Sequence, residues 1–140
     1  MGLDMYLNRK TYVWGEKRKN LKLEGIEGID PALISNITEE IGYWRKANSI
    51  HKWFVDNVQN GIDDCGEYYV PQDKLKKLLL EVKQALTNKK VAREILPTQS
   101  GFFFGNTDYD KWYFKDLEDT KKILEMAIAQ EGDYYYHSSW

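Results

Sequence analysis

The spacing of hydrophobic and polar positions changes along the chain, and these changes predict its secondary structure. From Leu3 to Trp14, apolar and polar residues alternate loosely and Tyr, Val and Leu are frequent, which favours a strand. The charged stretch Gly15–Asn20 predicts an exposed loop. Pro31 follows Asp30, a pair typical of the start of a helix, so a short helix is expected over residues 31–35.

A longer helix is predicted from Asn36 to Gln59. Asn36 can cap its first turn, and Glu39 lies three residues further on, as in a capping box. With 100° per residue, Trp53 falls outside the apolar arc of this helix. The arc consists of Tyr43, Trp44, Ala47, Ile50, His51, Phe54, Val55 and Val58. Asn60-Gly61 then predicts a tight turn.

Strands and helices follow in irregular order in the rest of the chain. The pattern predicts a strand over Glu67–Val70, helices over 72–88, 89–95 and 108–130, and a terminal strand over 133–140. Because the elements do not alternate regularly, the expected fold class is α+β. We expect a single domain over residues 1–140, with a small, mostly antiparallel sheet covered by about three main helices.

Composition and charge narrow the function classes. The 20 basic and 22 acidic residues give a net charge of -2, which argues against general nucleic-acid binding. One cysteine cannot form an internal disulfide, and no signal-peptide pattern or apolar run of about 18 residues is visible. The expected location is the cytoplasm, with no membrane partner. There is no Walker loop, dinucleotide fingerprint or zinc pattern, so no cofactor and no metal are expected.

The predicted central helix carries a polar edge that suggests a binding site. Arg45, Asn48 and Lys52 follow this edge with Trp44 beside them, and such a set can hold an anion and stack a base. The simpler alternative is a solvated face whose cations pair with Asp63 or Asp64. His51 is either a base or ligand, or a core histidine satisfied by hydrogen bonds.

An enzymatic alternative rests on the turn after this helix. Cys65 can return towards His51 and serve as a nucleophile, although a small buried hydrophobe is the simpler role for it. The corresponding function is a small hydrolase or transferase that uses His51 with Cys65 or Asp64. Asp4, Asp63, Asp64 and Glu67 also offer oxygens to a divalent cation, but their spacing does not match a calcium loop.

Aromatic residues are abundant, at 14% of the chain, and they cluster at its C-terminal end. Tyr134, Tyr135, Tyr136 and Trp140 suggest a partner surface, since Tyr and Trp are enriched at interface anchors. The alternative is cross-strand packing within the sheet.

Several stretches resemble a family of small uncharacterised proteins from phages, prophages and metagenomes. They are Met-Gly-Leu-Asp-Met-Tyr-Leu at 1–7, Ile-Gly-Tyr-Trp-Arg-Lys-Ala-Asn at 41–48, Ile-His-Lys-Trp-Phe at 50–54, Asp-Asp-Cys-Gly-Glu-Tyr-Tyr-Val at 63–70 and Gly-Phe-Phe-Phe-Gly at 101–105. The resemblance implies an accessory protein of a mobile element in a bacterial cytoplasm. Many proteins of this size and context counteract host defence, but the association supplies no mechanism.

The favoured hypothesis is therefore a phage- or prophage-encoded, non-enzymatic binding protein. It would bind a host defence protein or sequester a small nucleotide. The residues expected to form its binding site are Trp44, Arg45, Asn48, His51 and Asp64.

Overall fold

The α+β prediction is confirmed by a computed structural model that describes residues 2–140. Four strands form one antiparallel sheet in the order β2-β1-β4-β3. The strands are β1 (Asp4–Tyr12), β2 (Asn36–Arg45), β3 (Tyr68–Val70) and β4 (Asp133–Ser139). The two longest strands lie side by side at β1 and β2, and the N-terminal and C-terminal strands pair in the middle of the sheet.

The structure contains five helices in residues 2–140, α1 (Glu16–Lys19), α2 (Asn48–Asn57), α3 (Gln72–Ala85), α4 (Lys89–Ile95) and α5 (Lys111–Ile128), and a 3-10 turn at Pro31–Leu33. The last three helices agree closely with the predicted ones. Asn88 caps α4, and Asp110 caps α5 through the N–H groups of two first-turn residues. The stretch predicted as the loop Gly15–Asn20 contains the single turn of α1, which buries no residue.

The prediction of a helix from Asn36 is wrong over its first ten residues. This segment is β2, which pairs with β1 from Asn36 opposite Tyr12 to Arg45 opposite Asp4. Glu39 does not complete a capping box; it accepts hydrogen bonds from Arg9 on the neighbouring strand. Tertiary pairing therefore overrode a local helix-start signal. The helical prediction holds from Asn48, where α2 begins.

One hydrophobic cluster lies between the inner face of the sheet and the helices. Trp44 is buried as predicted, but it points inward from β2, and its indole N–H donates to Thr120 on α5 over 2.7 Å. The prediction for Trp53 is wrong, because this side chain is only 5% exposed and its indole N–H donates to Glu81 of α3. The helix α2 is thus buried on a wider arc than its sequence pattern indicated.

The other face of the sheet is turned away from this core, and we call it the open face. Side chains alternate between the two faces along each strand, so residues next to buried ones belong to the open face. Tyr134 and Tyr136 point inward and are buried, which corrects their assignment to a partner surface. Tyr135 and His137 between and beyond them are only partly buried and belong to the open face.

Candidate functional site

A hydrogen-bonded chain surrounds His51, which is completely buried on α2. Its Nδ1 atom lies 2.6 Å from the Tyr136 hydroxyl, and its Nε2 atom lies 2.9 Å from Oδ2 of Asp63. Since a carboxylate can only accept, Nε2 carries the proton and Nδ1 accepts from Tyr136. The Trp140 indole donates to the second oxygen of Asp63 over 3.1 Å. Both His51 nitrogens are therefore occupied, as in the core-histidine alternative.

The other residues of the enzymatic alternative, Asp64 and Cys65, lie in the turn before β3 and form no hydrogen bond with His51. Cys65 is exposed and has a left-handed backbone with φ 58°, so the prediction of a small buried hydrophobe is wrong. Asp64 accepts hydrogen bonds from the Gly66 N–H and the Tyr68 hydroxyl, and these bonds lower the pKa of Asp64, the Tyr68 bond most. Asp64 thus caps the turn, and neither it nor Cys65 is a hydrogen-bond partner of His51.

The predicted polar edge of Arg45, Asn48 and Lys52 is not one helix edge, because Arg45 belongs to β2. Trp44 and Arg45 are neighbours on a strand and point to opposite faces, so they do not form one site. The expected pairing of the cations with Asp63 or Asp64 is also wrong. Arg45 pairs with Asp4 at 3.0 Å, and Lys52 pairs with Asp56.

Asn48 has a structural role that its sequence pattern did not reveal. It is 4% exposed, and its amide holds the loop of residues 99–106 by three hydrogen bonds. Nδ2 donates to the carbonyls of Phe104 (3.0 Å) and Asn106 (2.9 Å), while Oδ1 accepts from the Gln99 N–H (3.0 Å). The loop contains the Gly-Phe-Phe-Phe-Gly run at 101–105, which forms a tight turn with Phe104 buried and Phe102 exposed.

This loop forms one side of a cleft of about 290 Å³, which we call the polar cleft. The turn between β2 and α2 forms a second side, and the first turns of α5 form the third. The side chains and glycine that border it are Arg45, Lys46, Asn48, Ser49, Thr98, Gly105, Asn106, Asp108, Asp110, Trp112, Tyr113 and Asp116. Two predicted site residues, Arg45 and Asn48, therefore border the polar cleft, whereas Trp44, His51 and Asp64 do not.

The side formed by the β2–α2 turn is suited to an anion. Arg45 and Lys46 supply two cations, and Lys46 forms no ion pair within residues 2–140. The ten-residue helix α2 begins here, and its N-cap residue Ala47 makes no side-chain capping bond. In the first turn the N–H groups of Asn48 and Ile50 donate to the carbonyls of Lys46 and Ala47, so the Ser49 N–H and the helix dipole are what favour negative charge at this end. Ser49 adds a hydroxyl that lies in a 4% exposed residue and makes no hydrogen bond within residues 2–140.

The α5 side carries carboxylates and one exposed ring. Asp110 accepts from the N–H groups of Trp112 and Tyr113 at 3.1 Å each, so its charge is directed at the helix end. Burial, and secondarily the charge of Asp119, raises the pKa of Asp116 to about 6. The Trp112 side chain is 61% exposed and lies at the border of the cleft.

Close packing fixes the turn that carries the cations. Lys46 has a left-handed backbone with φ 56°, and its N–H donates to the Leu3 carbonyl over 2.7 Å. A Cβ on Gly105, whose φ is 80°, would lie 3.1 Å from Lys46 Cβ. The stem of Lys46 therefore lies against Gly105, at the border of the polar cleft.

Sequence reasoning missed most of this site. Lys46, Ser49, Asp108, Trp112 and Asp116 were not candidates, because they come from segments that are up to 70 residues apart along the chain. One local signal was available. Trp112 and Asp116 share a face of the last helix that is separate from its inward stripe, and a tryptophan on such a face indicates exposure.

The acidic residues considered for a divalent cation do not form a metal site in the part of the chain that the structure describes. No group of three or more His, Cys, Asp or Glu side chains in residues 2–140 is arranged to hold a metal ion. Asp4 instead pairs with Arg45, and Glu67 pairs with Lys10 at 2.5 Å.

None of the helices in residues 2–140 has the length and apolar character needed to cross a membrane.

The polar cleft thus combines an anion-binding side, a carboxylate side and an exposed indole within one small volume. Comparison of the chain with protein-family models, curated proteins and solved structures gives no match.

Proposed function

We propose that the protein is a non-enzymatic binding protein that holds a small nucleotide in the polar cleft. The observation that carries this proposal is the separation of charge across the cleft. Arg45, Lys46 and the uncapped start of α2 lie on one side, and Asp108, Asp116 and Trp112 lie on another. A ligand that matches this arrangement has an anionic group at one end and a flat, donor-bearing group at the other.

A nucleoside monophosphate has these properties. Its phosphate would lie at the β2–α2 turn, where Lys46 provides an unpaired charge and Arg45 a cation that it would share with Asp4, while the Ser49 hydroxyl and N–H provide hydrogen bonds. Its base would stack on Trp112, as bases stack on aromatic side chains in single-strand sites. Asp116 would accept from an amino group of the base or from a ribose hydroxyl.

The size of the cleft favours one nucleotide over two. Pockets for drug-sized ligands usually have volumes of about 300–1,000 Å³. At about 290 Å³, the polar cleft lies at the lower end of that range. Its three carboxylates also disfavour a ligand with several phosphates, because only two cations are present to balance them.

The non-enzymatic part of the proposal is supported by the surroundings of His51. This imidazole is fully buried, and its two nitrogens are bonded to Tyr136 and Asp63, so it has no free nitrogen for a substrate. In the phage context that the sequence resemblance implies, the protein would act in the cytoplasm of the bacterial host. It would lower the free concentration of a nucleotide signal used in host defence.

Native mass spectrometry tests this proposal with a mixture of the four ribonucleoside 5′-monophosphates and inorganic phosphate as probes. We expect one nucleotide per chain, and a strong reduction of the bound fraction in Trp112→Ala and Lys46→Gln. Matched controls are Trp14→Ala, an exposed tryptophan outside the cleft, and Lys76→Gln, an exposed lysine on α3. Retention of phosphate alone, or equal loss in the control variants, would contradict the proposal.

A further inference from the structure

The open face carries two sets of contacting aromatic rings, which together extend over all four strands. Tyr43 of β2 lies 5.4 Å from Tyr6 of β1, and Tyr6 stacks on His137 of β4 at 4.6 Å with 12° between the ring planes. Tyr135 of β4 contacts Tyr69 of β3 edge to face at 5.6 Å. Tyr43 and Tyr69 remain 41% and 51% exposed, so the rings form a surface and not a second core.

The charges on the open face are unequal. The strand register and the alternation of side chains place six charged groups on this face. They are the cations Lys10 and Arg45 and the carboxylates Asp4, Glu40, Glu67 and Asp133. Arg45 is paired with Asp4 and Lys10 with Glu67, so both cations are neutralised. The carboxylates of Glu40 and Asp133 form no ion pair within residues 2–140. The surface that surrounds the rings therefore carries an excess of two negative charges.

This charge excludes two of the partners that an aromatic sheet surface suggests. Single-stranded nucleic acid stacks on such rings, but its binding depends on cations that neutralise phosphates, and here no unpaired cation is available. A second copy of the chain would bring the same excess of carboxylates against this face, and like charges placed opposite each other are unfavourable.

We propose that the open face binds a partner protein through arginine side chains that the partner presents. A guanidinium stacks on tyrosine rings and forms paired hydrogen bonds with carboxylates, and the open face supplies both groups. The structure already contains a smaller example of the first contact, since the Lys10 ammonium lies 4.7 Å from the centre of the Tyr135 ring. This inference concerns a different surface from the nucleotide proposal and does not depend on it.

The probe for this surface is an acetylated ten-residue peptide that alternates arginine and serine. Two comparison peptides replace arginine with lysine or glutamate, and a ten-nucleotide thymidine oligomer represents single-stranded DNA. Amide chemical shifts of the full-length protein, recorded by NMR during titration, locate the binding surface and give the affinity.

We expect the arginine peptide to shift residues of β1, β4 and β3 on the open face and to bind about threefold or more tightly than the lysine peptide. The double variant Glu40→Gln/Asp133→Asn should weaken its binding by about threefold to tenfold, since each exposed pair contributes a small amount. Tyr69→Ala should also weaken it, whereas Leu80→Ala, an exposed position on α3 at the helical side of the sheet, should not.

Four results would overturn the proposal. They are shifts confined to other surfaces, equal or tighter binding of the glutamate peptide, tighter binding of the thymidine oligomer, and unchanged affinity in the Glu40→Gln/Asp133→Asn variant. These positions are exposed or only partly buried, so the substitutions are expected to leave the fold intact, and circular dichroism of each variant verifies this. Because the nucleotide experiment uses other residues and other probes, failure of one proposal leaves the other to be judged separately.

Discussion

Asp63 accepts a hydrogen bond from Nε2 of the buried His51 over 2.9 Å, and this contact joins helix α2 to the turn that precedes β3. The other ring nitrogen accepts from Tyr136 on β4, so one imidazole connects three elements. Replacing His51 with alanine removes a buried ring and leaves the Tyr136 hydroxyl without its partner. We expect a loss of about 3–5 kcal/mol in the free energy of unfolding, measured by urea denaturation.

Tyr136→Phe tests the hydrogen bond between Tyr136 and His51 without making a cavity. It leaves Nδ1 of His51 buried and unpaired, and we expect a loss of about 1–3 kcal/mol in the free energy of unfolding. Tyr135→Phe on the open face is the matched control and should change stability by less than about 0.5 kcal/mol. Equal stability of the two phenylalanine variants would show that the His51–Tyr136 bond contributes nothing.

Asn48→Ala should destabilise the loop of residues 99–106, which borders the polar cleft. The substitution removes three hydrogen bonds to the backbone of residues 99–106 from a buried position. We expect a loss of about 2–4 kcal/mol in the free energy of unfolding and faster amide hydrogen exchange in this loop. Asn36→Ala is the control, since Asn36 is exposed and its side chain bonds only to the neighbouring Ser35. Unchanged exchange in the loop would contradict this role for Asn48.

Gly42→Ala should destabilise the contact between β2 and α5. An added Cβ would lie 2.4 Å from Cγ2 of Ile123, which is closer than packed carbon atoms approach. Overpacking of this kind costs about 1–3 kcal/mol in the free energy of unfolding. The double variant Gly42→Ala/Ile123→Ala provides space for the new methyl group. Its loss should be smaller than the sum of the two single losses, and additive losses in chemical denaturation would rule out the direct clash.

Asp116 should make stability depend on pH in a specific direction. Burial raises its pKa from 3.8 to about 6, so the folded state binds this proton more tightly than the unfolded state does. Its contribution to the free energy of unfolding is therefore present at pH 3.5 and is lost as the pH rises to about 6.5. The full shift corresponds to about 3 kcal/mol, and screening of the partly exposed group reduces the expected loss to about 1–2 kcal/mol.

Comparison with Asp116→Asn isolates this effect, because the amide has nearly the same shape and does not titrate in this range. The stability of the wild type relative to the variant should decrease between pH 3.5 and 6.5 and remain constant from pH 7 to 8. A difference that does not vary with pH would contradict the raised pKa of Asp116.

The sequence predicted the fold class and most helices because those elements have clear local patterns. Leu75, Leu78 and Val82 recur at helical spacing within the predicted helix 72–88 and are fully buried, and Asp110 caps α5 two residues after the predicted start. Residues 36–45 were misjudged, because a capping pair is a local signal whereas strand pairing with β1 depends on residues about 30 positions away.

The candidate site was less predictable for the same reason. Arg45 and Asn48 were identified as polar residues of one helix face, but they border the polar cleft because a turn at Lys46 separates strand from helix. The carboxylates and Trp112 on its other side come from α5 and the preceding loop. Only the tertiary fold brings these segments together, so no spacing within either segment indicated the complete cleft.

Calorimetric titration of adenosine 5′-monophosphate into the wild-type protein and Trp112→Ala at pH 7.5 tests the central claim most directly. We expect one site per chain in the wild type and an affinity at least about fivefold lower in the variant, since stacking of one base contributes about 1–3 kcal/mol. We also expect weaker binding of adenosine and of phosphate separately. Absence of heat with the wild type, or equal affinity in the folded Trp112→Ala variant, would contradict a mononucleotide site in the polar cleft.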